Sequence, residues 1–119
     1  MYKPSEGYQL LHNSKPIYSE VVIAGSFYKR LRGLTFFPNP SVDTAFFIPK
    51  CSSIHTFFMR FSLDVIFLDR ENRIKKLCPF IKPFRFTGSL GSYSAVELTL
   101  GSIERLSLTC GDTLEPKKI

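Results

Sequence analysis

Cys51 and His55 stand four residues apart. At that spacing a thiol and an imidazole can act as nucleophile and base, or as two metal ligands. A metal needs a third and a fourth ligand, and the other histidine, His12, lies far away in the N-terminal segment. Arg60 and Asp64 form a second constellation. Its plain reading is an ion pair that ties one strand end to the next; its functional reading is a charged pair that reads a ligand at the mouth of a pocket. Asp64 and Glu97 are the one carboxylate pair that can be considered for glycoside chemistry, which requires two acids converging across a cleft. Glu97 lies on an otherwise apolar strand, where Arg85 or Arg105 can pair with it. Arg32 beside Gly33 fits a helix end, where a cation offsets the negative end of the dipole. Gly111-Asp112 reads as a turn. The chain has no Gly-rich phosphate loop, no Ser nucleophile elbow and no zinc-protease helix, which lowers the expectation of an enzyme and implies no cofactor.

These residues must be positioned by short elements. Strands are expected at 20–24, 44–48, 53–59, 63–69, 73–78 and 93–98, with a final short strand through Leu114. Ser26 offers an N-cap, Phe27, Leu31 and Leu34 recur at helical spacing and Gly33 can stop the run, so one short helix is expected near 26–33. Arg70-Glu71-Asn72 between two apolar runs has the length and chemistry of a tight antiparallel hairpin, with Asn72 at positive φ. The stretch from Pro79 to Gly91 reads as a loop crossing an open end of the sheet. Residues 100–108 are ambiguous between a strand and a single helical turn. Residues 1–19 read as an extended arm or loosely docked strand, ahead of one compact domain at 20–119. With a period of two, His55, Phe57 and Met59 share one face and Thr56, Phe58 and Arg60 the other, so polar groups accompany aromatics on both faces.

Composition agrees with a β fold. Twelve Phe and five Tyr, with no Trp, favour pleated surfaces. A chain of 119 residues has the size of one domain and folds without a disulfide framework or metal. The formal charge of +6 can attract anionic partners. Its basic residues come as scattered pairs and triples, so a solvated surface is expected and nucleic-acid binding is not. Three widely spaced cysteines without a Cys-x-x-Cys pair read as reduced thiols. With no secretory signal and no membrane-spanning apolar run, they give the expectation of a soluble, cytoplasmic protein, monomeric or weakly dimeric.

Leu31-Arg32-Gly33-Leu34, His55-Thr56-Phe57, Met59-Arg60-Phe61, Leu63-Asp64-Val65, Phe67-Leu68-Asp69, Glu97-Leu98 with Gly101, and Gly111-Asp112 together resemble the family catalogued as domain of unknown function 192. The resemblance covers roughly residues 20–115. It implies a compact β-barrel or sandwich-like domain with one short helix, mostly prokaryotic, without an established activity. It also implies that many relatives are exported or lipid-anchored, while others start without a signal. Phe58, Ser62 and Thr35 depart from the residues usual in that pattern, which are Gly, Pro, and Leu or Met. Because another branch of the family lacks the histidine, Asp64 is the firmer polar position.

The combined expectation is a small, mainly antiparallel β domain with a polar cluster of His55, Arg60, Asp64 and Glu97, flanked by Arg32 and Cys51. The first reading is a non-enzymatic binding module for a small polar or anionic ligand or a partner protein. The second is a hydrolase-type enzyme with Asp64 or His55 as general acid or base. The third is an accessory protein of a cell-envelope assembly, which an exposed patch among Phe36, Phe37, Phe80, Phe84 and Phe86 would support.

Overall fold

A computed structural model describes residues 7–23, 44–56 and 61–119. Ten strands are described: β1 (Tyr8–His12), β2 (Lys15–Tyr18), β3 (Glu20–Ile23), β4 (Thr44–Pro49), β5 (Ser53–His55), β6 (Leu63–Leu68), β7 (Ile74–Ile81), β8 (Phe86–Gly88), β9 (Ser94–Thr99) and β10 (Leu114–Lys118). One helical turn, α1, covers Ser102–Arg105. The strands form a central five-stranded sheet in the order β3-β4-β9-β6-β7, a three-stranded sheet β10-β1-β2, and the pair β5-β8. The arrangement is mainly β and sandwich-like. No closed barrel forms among the described strands.

Side chains alternate across the central sheet, and both faces are covered. On one face Val21, Ala45, Phe47, Ile66, Leu68, Val96 and Leu98 pack with Leu10, Tyr18, Ile103 and Leu114 from the three-stranded sheet and α1. On the other, Val22, Phe46, Ile48, Leu63, Val65, Phe67 and Ala95 pack with Cys51, Ile54 and Cys78. All six residues of β6 are therefore buried, and the strand reads as a continuous apolar run interrupted by Asp64 alone.

β3 and β4 pair in parallel, against the antiparallel rule of the rest. A parallel neighbour requires a long crossover, and residues 24–43 provide that connection. The helix expected at 26–33 lies there, outside the described residues. The ambiguous 100–108 segment is the helical turn α1.

Within the segment expected as an extended arm or loosely docked strand, residues 8–18 form a hairpin. β1 pairs with both β2 and β10, and Leu10, Leu11 and Tyr18 are buried. Asn13 and Ser14, at φ +49° and +72°, make the two-residue turn with both positions left-handed that suits the twist of a hairpin. Pro16 and Pro116 sit on β2 and β10, the two edges of this sheet, where proline is tolerated. The β6–β7 hairpin is antiparallel as expected, with Asn72 at φ +63°.

Candidate functional site

Asp64 begins as a carboxylate in a buried strand, which demands partners. Along β6–β7 the register steps from Leu63 opposite Ile81 to Val65 opposite Cys78, so β7 carries one extra residue there. That bulge contains Phe80 at φ +56°. The Phe80 N–H donates to Asp64 Oδ1 at 3.0 Å. The other oxygen, Oδ2, accepts the N–H of Ile103 in the first turn of α1 at 2.8 Å. Asp64 is fully buried, and both its oxygens serve backbone amides. It fixes a strand bulge on one side and a helical turn on the other.

Thr56 does the same for the segment that follows. Its N–H donates to the Arg85 carbonyl at 2.8 Å, and its carbonyl accepts the Phe84 N–H at 2.8 Å. Its hydroxyl donates to the Lys82 carbonyl at 2.6 Å and accepts the Arg85 N–H at 2.9 Å. Phe84 is at φ +63°, a backbone conformation rare for an aromatic residue and kept only where surroundings impose it. Thr56 is fully buried. Its role was not anticipated, although a hydroxyl on a face shared with aromatics is itself a signal that a partner must exist.

These two anchors hold one structure. Cys78 Sγ lies 3.4 Å from Thr87 Oγ1, and Lys76 Nζ donates to the Gly88 carbonyl at 2.6 Å. β8 thus returns alongside β7, and residues 79–86, the end of β7, the 82–85 connection and the start of β8, form a tip. On that tip Phe80, Phe84 and Phe86 are 54%, 69% and 69% exposed, against the ordinary preference of Phe for the interior. Lys82 and Arg85, between them in sequence, are exposed as well. No Asp or Glu occurs between Glu71 and Glu97, whereas Arg73, Lys75, Lys76, Lys82 and Arg85 do. The stretch expected as a crossing loop is therefore part strand and part aromatic–basic tip whose backbone is hydrogen-bonded to Asp64 and Thr56.

The other expected residues do not gather around Asp64. Glu97 is buried opposite Phe46 and Val65, on the Ala95 face, whereas Asp64 lies opposite Leu98 on the α1 face. Two acids on opposite faces of one sheet cannot converge across a cleft. Arg105 Nη2 donates to the Tyr18 hydroxyl at 3.3 Å, also on the α1 side, and Arg85 Nη1 donates to the Phe84 carbonyl at 3.3 Å. Cys51 is buried in the second cluster, with its thiol donating to the Ser53 carbonyl at 3.1 Å. The backbone of His55 pairs with Phe86; its side chain, with Arg60, Arg32, Phe36 and Phe37, lies outside the described residues. Among the described residues no three His, Cys, Asp or Glu side chains gather as a metal set.

His12 and Asp112 form a link that sequence spacing hid. His12 Nε2 lies 2.8 Å from Asp112 Oδ2, which also accepts the Thr109 N–H at 3.0 Å, tying the end of β1 to the turn before β10. The His12 hydrogen bond, then the Thr109 amide, lower the Asp112 carboxyl from 3.8 to about 2. A carboxyl lowered in the folded state stabilises fully above its unfolded value and loses that contribution as pH falls through the folded one. Asp112→Asn is therefore expected to cost about 1 kcal/mol at pH 7, after solvent screening of a partly exposed pair. The gap to wild type should narrow steadily below pH 4 in urea denaturation series; a gap that stays constant down to pH 2.5 would contradict the assignment.

Comparison with known proteins places this geometry. The family model DUF192 (Uncharacterized ACR, COG1430) matches residues 9–116. A UPF0127 protein of Thermococcus sibiricus is 37% identical over 100 residues, covering 80% of this chain; the match spans 64% of that relative, just under two thirds of its length. The UPF0127 protein PF1050 of Pyrococcus furiosus is 38% identical over 106 residues, covering 85% of this chain and 90% of the relative. A crystal structure of a protein of unknown function from Novosphingobium aromaticivorans matches with a TM-score of 0.79 at 17% identity, covering 97% of this chain and 91% of the other. One from Sinorhizobium meliloti, named as a candidate transcription regulator, matches at 0.75 and 19%, covering 92% and 91%. Those two likenesses are of fold. The family match takes in the β1–β2 hairpin, the Asp64 and Thr56 anchors and the tip, and on it this chain belongs to the uncharacterised DUF192 family.

Proposed function

We propose that this chain is a binding module without chemistry of its own, which engages an anionic partner through the tip at 79–86. One observation carries the reading: three Phe rings stand exposed on a segment whose backbone is pinned by buried Asp64 and Thr56. A protein that keeps aromatic rings in water on a strained, well-held backbone spends stability on a surface, and exposed apolar groups rimmed by charge mark interaction sites. Pre-ordering also reduces the entropy lost on binding. A general acid or base must reach its substrate, and a sealed carboxylate with both oxygens engaged favours the binding reading over the hydrolytic one. His55, Arg60 and Arg32 are further candidates to add contacts to the partner, and Glu97 and Cys51 to support them from within. The three cysteines are all free thiols, which supports work in the cytoplasm. No helix among the described residues is long and apolar enough to cross a membrane.

The test is a set of NMR titrations of the labelled protein with three anionic probes: a Glu-rich peptide containing aromatic residues, a single-stranded oligodeoxynucleotide and phosphatidylglycerol-containing bicelles. At least one is expected to shift or broaden the amides of 80–86 in a salt-sensitive way. Silence with all three, or perturbation centred elsewhere, would overturn the reading.

A further inference from the structure

Three features of the tip narrow the partner. Its rings protrude, with Phe84 and Phe86 each 69% exposed, so they do not line a groove into which a strand of nucleic acid or a peptide would settle. They are joined by exposed Lys82 and Arg85, with exposed Lys75 and Lys76 further along β7. The β7 bulge and the left-handed backbone at Phe80 and Phe84, held by the hydrogen bonds to Asp64 and Thr56, set the course of the chain that carries these rings. Exposed aromatic rings interleaved with exposed basic side chains fit a surface that is soft, apolar within and negative at its face.

Resting on the binding-module reading, we propose that the partner is a lipid bilayer with anionic headgroups, into whose interface the Phe80, Phe84 and Phe86 rings insert. The basic residues then meet the headgroups. Aromatic side chains favour the interfacial depth, and each Lys or Arg near an anionic surface adds an attraction that decays within a Debye length. Docking of this kind is peripheral and reversible, since three rings bury far less apolar area than a spanning segment.

The experiment is co-sedimentation of the full chain with large unilamellar vesicles of phosphatidylcholine alone, or of phosphatidylcholine with phosphatidylglycerol. Binding is expected to the mixed vesicles, weakening as salt rises, and at least about tenfold less to the neutral ones. The double variant Phe84→Ala with Phe86→Ala should lose about tenfold or more of the partitioning, as should Lys82→Glu with Arg85→Glu. Both pairs are exposed, and a thermal melt like that of the wild type confirms that the fold is intact. No sedimentation with mixed vesicles overturns the proposal, as does equal binding to neutral vesicles or binding indifferent to the tip substitutions. If the acidic peptide or the oligonucleotide engages 80–86 while vesicles do not, the membrane proposal falls and the binding-module reading stands. If no probe engages the tip, both fall.

Discussion

Asp64→Asn is expected to destabilise the protein by about 3 kcal/mol, although it changes one atom and keeps the side-chain volume. The carboxylate accepts from two backbone donors, the part-buried Phe80 N–H on Oδ1 and the buried Ile103 N–H on Oδ2. An amide has one acceptor oxygen, so its NH2 must face one of those N–H groups. The variant loses a charge-assisted bond and leaves a buried or part-buried donor unsatisfied, each worth about 1–3 kcal/mol. For a chain of this size the melting temperature should fall by about 10 °C. Thermal and urea denaturation measure it. A loss under 1 kcal/mol would mean that Asp64 does not organise the bulge. The structural origin predicts a second signature: amides at the two ends, in the bulge of β7 and the first turn of α1, should gain hydrogen exchange together, although they lie far apart in sequence.

The second large effect belongs to Thr56. Thr56→Val keeps the shape but removes the hydroxyl that ties Lys82 and Arg85 to the strand. Loss of both bonds from the buried Thr56 hydroxyl is expected to cost about 2–3 kcal/mol, again about 10 °C in melting temperature. Release of the tip should also expose the Arg85–Phe86 bond to trypsin, while Lys82, followed by Pro83, stays resistant. Thr56→Ser keeps the hydroxyl and should restore most of the stability and the protease resistance. If the Val and Ser variants behave alike, methyl packing is what counts and the hydroxyl network is incidental.

The β fold was legible because branched and aromatic residues alternate or run continuously with turn residues between them. Two covered faces explain why β4, β6 and β9 are largely buried and mostly apolar, Asp64 and Glu97 being the buried charged exceptions, and the Asn72 turn follows from local chemistry. The N-terminal hairpin was harder to read. Pro16 and the polar residues around it look like loose chain until β2 is known to be an edge, which is a property of the whole sheet. His12 and Asp112 meet across a separation of 100 residues, a distance no local pattern spans.

The site was legible in part. Asp64 stood out as a carboxylate in an apolar strand, but its partners are backbone amides, and these carry no signature of residue type. A charged partner was the natural expectation, with Arg60 nearest in sequence. Thr56 was hidden for the same reason, since its four bonding partners, the Lys82 and Arg85 carbonyls and the Phe84 and Arg85 amides, are all main-chain groups. That Asp64 and Glu97 face opposite ways follows from register: Asp64 stands opposite Leu98, and Glu97 opposite Val65. One residue of offset sends a side chain to the other face.

The central claim is that the exposed aromatic tip is held rigidly from beneath. Amide hydrogen exchange of the wild-type protein at neutral pH tests it most directly, read at Phe80, Phe84, Arg85 and Ile103. Their N–H groups bond to Asp64 and Thr56, so all four are predicted to exchange slowly, as core-strand amides do, even though three of them carry exposed side chains. Fast exchange at Phe80, Phe84 and Arg85, at the rate of an open loop, would contradict the account, because a tip that is not held has no reason to display its rings.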